Sequence, residues 1–208
     1  RSSDLDGMQL NHYPDPEKSR EQYLPLLELS VSESPEDDRN MHYLGREYLF
    51  RGRWDDCIAT LKGHLNLPTA TWRDERCASM RFIARAYSSK GDAAAAEEWG
   101  WRAIAEAPHL REPFMDLAWQ LYLKKDWEGV IYLTGRALRI TDRARTYITE
   151  STAWGSLPYD LRSLAFYYTG QYDKAMECLK EALKLSPNNE RLKTNLKRIR
   201  EACDESAL

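Results

Sequence analysis

The sequence predicts an all-α chain: a right-handed α-solenoid of antiparallel helix pairs with a capping helix at each end. Three observations carry that expectation. Large and tiny apolar residues alternate at helical spacing through most of the chain. The helical pattern breaks at four regular places, Arg51-Gly52-Arg53, Gly91-Asp92, Lys125-Asp126 and Gly170-Gln171. Three of the resulting units stop at or near a proline, Pro68, Pro108 and Pro187, a residue that cannot continue a helix.

The elements follow in order. Residues 1–17, with "HYPDP", show no period and are expected to be extended, a junction to an upstream domain. Residues 18–208 form the helical domain. Its first element, "SREQYLPLLELSVSESP", reads as a helix kinked at Pro25, the second half of a repeat whose first half is missing. Four helical hairpins come next, each folded at one of the breaks. Gly91 to Lys125 is 34 residues; the neighbouring intervals are five and eleven residues longer. The excess falls into insertions near 67–75 ("LPTATWRDE") and 141–158 ("TDRARTYITESTAWGSLP"). The second holds Tyr147, Trp154 and Pro158, too aromatic for a plain linker, and is expected to pack on the helices. "ERLKTNLKRIREAC" has Leu192, Leu196 and Ile199 on one face, as a terminal cap requires.

The hairpins share a packing register. Before the breaks stand Leu44-Gly45-x2-Tyr48, Ile83-Ala84-x2-Tyr87 and Leu117-Ala118-x2-Leu121. After them come Cys57, Ala96, Val130 and Ala175, each followed seven residues later by His64, Ala103, Ala137 and Ala182. Helices approach to 8–10 Å only where one offers a hole for the other's knob, so Gly45, Ala84 and Ala118 are expected at crossings. This pattern over Asp38 to about Asn189 resembles the tetratricopeptide repeat family, whose arrays repeat every 34 residues. The stretch Gly170–Asn189 is the most typical. His64, Gly100, Thr134 and Arg162 depart from the pattern, and imperfect packing, or support from the insertions, is expected there.

Composition narrows the function. The net charge of −3 removes a bulk electrostatic case for nucleic acid, and no apolar run approaches a membrane span. Cys57, Cys77, Cys178 and Cys203 lie apart, without CxxC or histidine at ligand spacing, so free thiols, no zinc and a reducing, cytoplasmic setting are expected. No phosphate loop, HExxH, GxSxG or other catalytic constellation is present, and no cofactor or metal is expected.

What the repeat offers is a groove lined by the first helix of each pair. Its inward positions include Arg39, His42, Arg46, Arg81 and Arg85 in one half, and Met115, Trp119, Tyr122, Leu164, Tyr167 and Tyr168 in the other. Arginine forks suit carboxylate or phosphate, and exposed aromatics suit anchoring. A protein or peptide partner, or an anionic acceptor polypeptide or glycan, fits such a surface. The same residues have plain structural uses: Arg39, Arg46 and Arg85 pairing with Glu47, Asp38 or Asp74, and the aromatics packing beneath the loop around Trp154. Both readings stay open at this level.

Longer phrases add a narrower resemblance. "HYPDPEKSREQYLPLLELS", "DRNMHYLGREYLFRGRW", "W-x2-ERCASMRFIAR" and "EAPHLREPFMDLA" resemble the helical region that follows the catalytic domain in some bacterial family 2 glycosyltransferases. The resemblance implies a catalytic domain upstream in cis, agreeing with a chain that opens on Arg1 instead of Met. It also implies that His12 of "HYPD" reaches back to a metal–nucleotide site in the full enzyme. Two functions follow: a non-catalytic acceptor-binding module of a sugar-transferring enzyme, or a free-standing scaffold that binds a peptide or protein.

Overall fold

A computed structural model describes residues 22–206, of which the side chains of 205 and 206 are not described. Residues 1–17, His12 among them, lie outside the described part. The described residues form ten α-helices, one 3₁₀ turn and no strand. The helices are α1 (Tyr23–Glu33), α2 (Asp38–Phe50), α3 (Trp54–Asn66), α4 (Arg73–Ser89), α5 (Ala93–Glu106), α6 (Glu112–Leu123), α7 (Trp127–Leu138), α8 (Leu157–Tyr168), α9 (Tyr172–Leu185) and α10 (Glu190–Ser206); the 3₁₀ turn is Ser151–Trp154. Four hairpins, α2/α3, α4/α5, α6/α7 and α8/α9, stack in chain order between α1 and α10. The first helices α2, α4, α6 and α8 also touch one another and make one inner face.

All four hairpins turn the same way. Gly52, Gly91 and Gly170 adopt φ of 72°, 83° and 74°, and Lys125 takes the same left-handed region at 61°. The residue after each donates back to the last turn of the first helix: Arg53 to Tyr48 O, Asp92 to Tyr87 O, Asp126 to Leu121 O, Gln171 to Phe166 O, at 2.8–3.0 Å. This six-to-one bond closes a helix whose final carbonyls would otherwise be orphaned. Asp92 and Asp126 then cap the second helices by accepting from Ala95 N and Gly129 N, both at 3.0 Å.

The packing register follows from the same residues. Cys57, His64, Ala96, Ala103, Val130, Ala137, Ala175 and Ala182 are all fully buried. A Cβ on Gly45 would overlap the Leu61 side chain. The departures have specific partners. The hole at Gly100 is filled from the next unit, where an added Cβ would lie 2.8 Å from Leu117 Cδ1. The Thr134 hydroxyl folds back on Val130 O at 2.6 Å. Arg162 lies across α7 in the space left by Gly135 and donates to Ile131 O. At these three places a neighbouring helix or the helix's own backbone supplies a partner that the repeat pattern lacks, and Arg162 also lines a hollow with Tyr159 and Cys178.

Three boundaries differ from the sequence reading, one of them the second insertion's end, since Leu157 and Pro158 already belong to α8. Pro25 sits in the first turn of α1, where its missing N–H has no helical acceptor to lose, so it starts a helix and kinks nothing. The first insertion ends at Trp72, because Arg73, Asp74 and Glu75 already belong to α4.

Gly45→Leu is expected to cost about 3 kcal/mol, roughly 10 °C in melting temperature, since backbone and Leu61 already touch. Lys125→Gly should act oppositely, relieving a left-handed side chain and adding about 1 kcal/mol. Thermal unfolding of both variants checks the pair.

Candidate functional site: the inner face

The inner face is built in two chemically different halves. On the α2–α4 side, the cations named from the sequence are placed together but engaged. Arg81 is 2% exposed. It donates through Nε to Asp116 Oδ2 at 2.9 Å, and its Nη2 stands 2.7 Å from Glu150 Oε1. The second contact is an ion pair by distance, without an aligned hydrogen bond. Arg85, one turn on, donates to both Asp116 oxygens and to Glu150 Oε2 at 2.7–3.1 Å. Burial works to raise the Asp116 carboxyl, but Arg81 and Arg85 overcome it and hold the group below the usual carboxylate range. Burial likewise opposes charge on both arginines, and the two carboxylates outweigh it.

These pairs draw the second insertion onto the inner face. Its Glu150 is held by α4. The Glu150 amide and the Trp154 indole both donate to Glu112 Oε1 of α6, at 3.2 and 2.9 Å. Arg111 stacks on Trp154 with its guanidinium 4.1 Å from the ring centre, and its Nε donates to Ile140 O at 2.7 Å. Tyr147 lies against Tyr43, Trp72 and His42, and its hydroxyl donates to Glu75. The insertion is therefore a strap over α2, α4 and α6.

The other sequence-named residues on this side divide. His42 is fully buried and its Nδ1 meets Ser79 Oγ at 2.7 Å. Burial first, then the charges of His64, Arg46 and Arg39, push its pKa down to about 3, so the ring stays neutral. Arg46 lies over the Tyr43 ring at 5.0 Å. Arg39 is 61% exposed and stands 3.9 Å from Glu75, not from the carboxylates named for it in the sequence. Asp74 instead meets His109 at 2.8 Å, and Glu47 meets Arg51 at 3.0 Å. Sequence reasoning singled out neither Glu75 nor Asp116.

On the α6–α8 side the aromatics join into a row. Trp119 stacks on Tyr122 (ring centres 5.3 Å), Tyr122 meets Trp127 edge-on (5.8 Å), and Trp127 stacks on Tyr168 (4.4 Å). Tyr167 and Tyr172 continue it. Trp119 and Tyr168 are 45% and 58% exposed, whereas Met115 is buried beneath them. A cleft of about 370 Å³ lies where the halves meet, lined by Arg85, Met115, Asp116, Trp119, Glu150 and Leu157 among others.

Arg81→Met should destabilise by about 3 kcal/mol or more, because it leaves Asp116 desolvated beside a single arginine. Glu150→Gln, at a third-exposed carboxylate, should cost about 1 kcal/mol. Urea unfolding checks the ratio, and limited proteolysis should cut Arg143 or Arg145 faster in Arg81→Met as the strap loosens.

Residues 157–189, spanning α8 and α9, match the family model of the tetratricopeptide repeat. None of the curated proteins matches the chain. Solved structures share the fold. A chain of the APC/C hetero-tetramer Cut9–Hcn1 superposes with a TM-score of 0.67 at 16% identity, over 88% of this chain and 33% of that one. MamA gives 0.64 at 17% identity, over 86% and 99%. A thermophilic tetratricopeptide protein of Thermus thermophilus gives 0.56 at 18%, over 86% and 88%. The chain thus spans a third of the Cut9–Hcn1 chain's length and nearly all of MamA. The match to the repeat model is confined to α8 and α9, and over the rest of the described chain the solved structures show the fold alone, a stack of helical hairpins. Among the described residues, no helix is long and apolar enough to cross a membrane.

Proposed function

We propose that the chain is a protein-interaction module that holds an extended segment of a partner polypeptide along the aromatic half of its inner face. The observation carrying this reading is the continuous row from Trp119 to Tyr172, with Trp119 at one end and Tyr168 within it turned to solvent. Rings with two rotatable bonds supply large contact area at small entropic cost, and clustered exposed aromatics mark binding surfaces. Lys125, the one non-glycine residue with positive φ among the described residues, lines the hollow formed with Tyr122, Trp127 and Tyr168. Strain retained beside an exposed aromatic cluster fits a binding role.

Charge contributes less than the sequence implied. Arg81 and Arg85 are already matched by Asp116 and Glu150, so an anionic partner would have to displace the strap. The segment this face suits presents apolar side chains.

One observation favours the narrower glycosyltransferase reading alongside. The phrases "ERCASMRFIAR" and "EAPHLREPFMDLA" contribute Arg81, Arg85, Glu112, Met115 and Asp116, the floor of the cleft. On that reading the held segment is the acceptor of a catalytic domain in cis, polypeptide or glycan.

Peptides selected from a random display library against this chain test the proposal. Trp119→Ala and Tyr168→Ala should each weaken the selected peptides about 30-fold, on the order of 2 kcal/mol, with little dependence on salt. Unchanged affinity in both variants, with helical content retained, would place the partner on another surface and sink the reading.

A further inference from the structure

The opposite end of the inner face buries a polar chain that the aromatic row does not use. His42, Ser79 and His64 are fully buried and linked, His42 Nδ1 to Ser79 Oγ at 2.7 Å and Ser79 Oγ to His64 Nδ1 at 3.0 Å. The far nitrogen of His64, Nε2, has no hydrogen-bond partner. It stands 3.5 Å from Glu75 Oε1, unaligned for a hydrogen bond, and Glu75 is itself 2% exposed. Asp38, half-buried in the first turn of α2, completes the group. One ligand atom each from Asp38, His64 and Glu75 lies within 4.8 Å of the other two.

As it stands the cluster is under-compensated. A buried imidazole nitrogen faces a buried carboxylate whose nearest cation, Arg39, is 3.9 Å away and 61% exposed. Unpaired buried polar groups are costly. The geometry allows two directions of donation, and in one of them His64 Nδ1–H donates to Ser79 while the Ser79 hydroxyl donates to His42 Nδ1. That direction leaves a lone pair on His64 Nε2, aimed at the carboxylates. A ligating histidine is fixed by just such a donation from its other nitrogen.

We propose that Asp38, His64 and Glu75 bind a divalent transition-metal ion. A tetrahedral ion at ~2.0–2.2 Å from each atom spaces its ligands by roughly 3.3–3.6 Å, so from separations of at most 4.8 Å the three side chains need to close by no more than about 1.3 Å. One imidazole and two carboxylates without thiolate suit Mn²⁺, Fe²⁺, Co²⁺ or Zn²⁺, and disfavour Cu⁺ and Mg²⁺. Arg39 has room to turn outward as the ion arrives, and Tyr147 keeps the second oxygen of Glu75 oriented. The ligands come from α2, α3 and α4, with Tyr147 as the strap's contact, so the ion ties the first two hairpins to the insertion. The sequence holds no metal motif because these ligands meet only through the fold.

The test is titration of the chelator-stripped chain with Zn²⁺ and Co²⁺, with Mg²⁺ as control, by calorimetry and by visible absorption of Co²⁺. One Zn²⁺ or Co²⁺ per chain is expected, with the melting temperature raised by about 5 °C or more at saturation. Asp38→Asn, in a half-exposed first turn, and Glu75→Gln, nearly isosteric, should retain the helical circular dichroism and bind at least about tenfold more weakly. Absence of stoichiometric binding to the unsubstituted chain would overturn the proposal. So would wild-type affinity in both folded variants, which would locate the ion elsewhere, as at His109 and Asp74. Neither outcome bears on the aromatic row, whose peptide test uses different residues.

Discussion

Everything in this molecule depends on how closely its helices can approach. Leu61 presses on the bare backbone of Gly45, and Leu117 enters the space at Gly100. Contact at this range fixes the rotation of each helix about its axis, and rotation decides which side chains face inward. The Arg81–Asp116 pair, the Trp119–Tyr122 stack and the His64–Glu75 approach are all consequences of that choice. A solenoid gains its stability from such repeated interfaces between neighbours, so its inner surface is set by packing before any partner acts on it.

The two halves of the inner face show opposite treatments of polarity. On α4 and α6 the charges are desolvated and matched, which contributes specificity to how the strap docks more than it contributes stability. On α6 and α8 the polar atoms belong to tyrosine and tryptophan, which tolerate both water and contact. The strap accounts for the difference. It covers the first half, where Arg81 is 2% exposed, and leaves Trp119 45% exposed, so water reaches the aromatics but not Arg81.

Much of the fold was legible because its signals are local. A glycine or lysine at each helix end, an aspartate beside it in the second and third hairpins, and mostly small residues seven apart identify the hairpins without knowledge of the rest. Arg162 and Gly100 were recognisable as departures, but their compensation was not, since Gly135 and Leu117 lie on other helices. The inner face was legible as a set of positions and illegible as chemistry. Arg85 finds Glu150 across 65 residues, and Glu75 finds Tyr147 across 72. Both partners sit in a segment without period, whose path follows from where it docks. Tyr147 and Trp154 could be marked as too apolar for a linker; what they dock against required the fold.

The strap also changes what kind of object the array is. Tetratricopeptide stacks are quasi-one-dimensional: each unit senses only its neighbours, and the ends can fray while the middle stays folded. Here Tyr147 lies on Tyr43 of the first hairpin, and Glu150 joins α4 to a segment that leaves the third. Those links skip along the chain and couple units that would otherwise melt in turn. Loss of any one of the first three hairpins must release the strap from the others. The left part of the array therefore opens as a single cooperative block, and closing it requires a long loop to be ordered first, which raises the contact order and slows folding. The 3₁₀ turn also packs on α8 of the last hairpin, and Ser156 meets Ser186 at the end of α9, so the fraying behaviour of an ordinary repeat is left to α10.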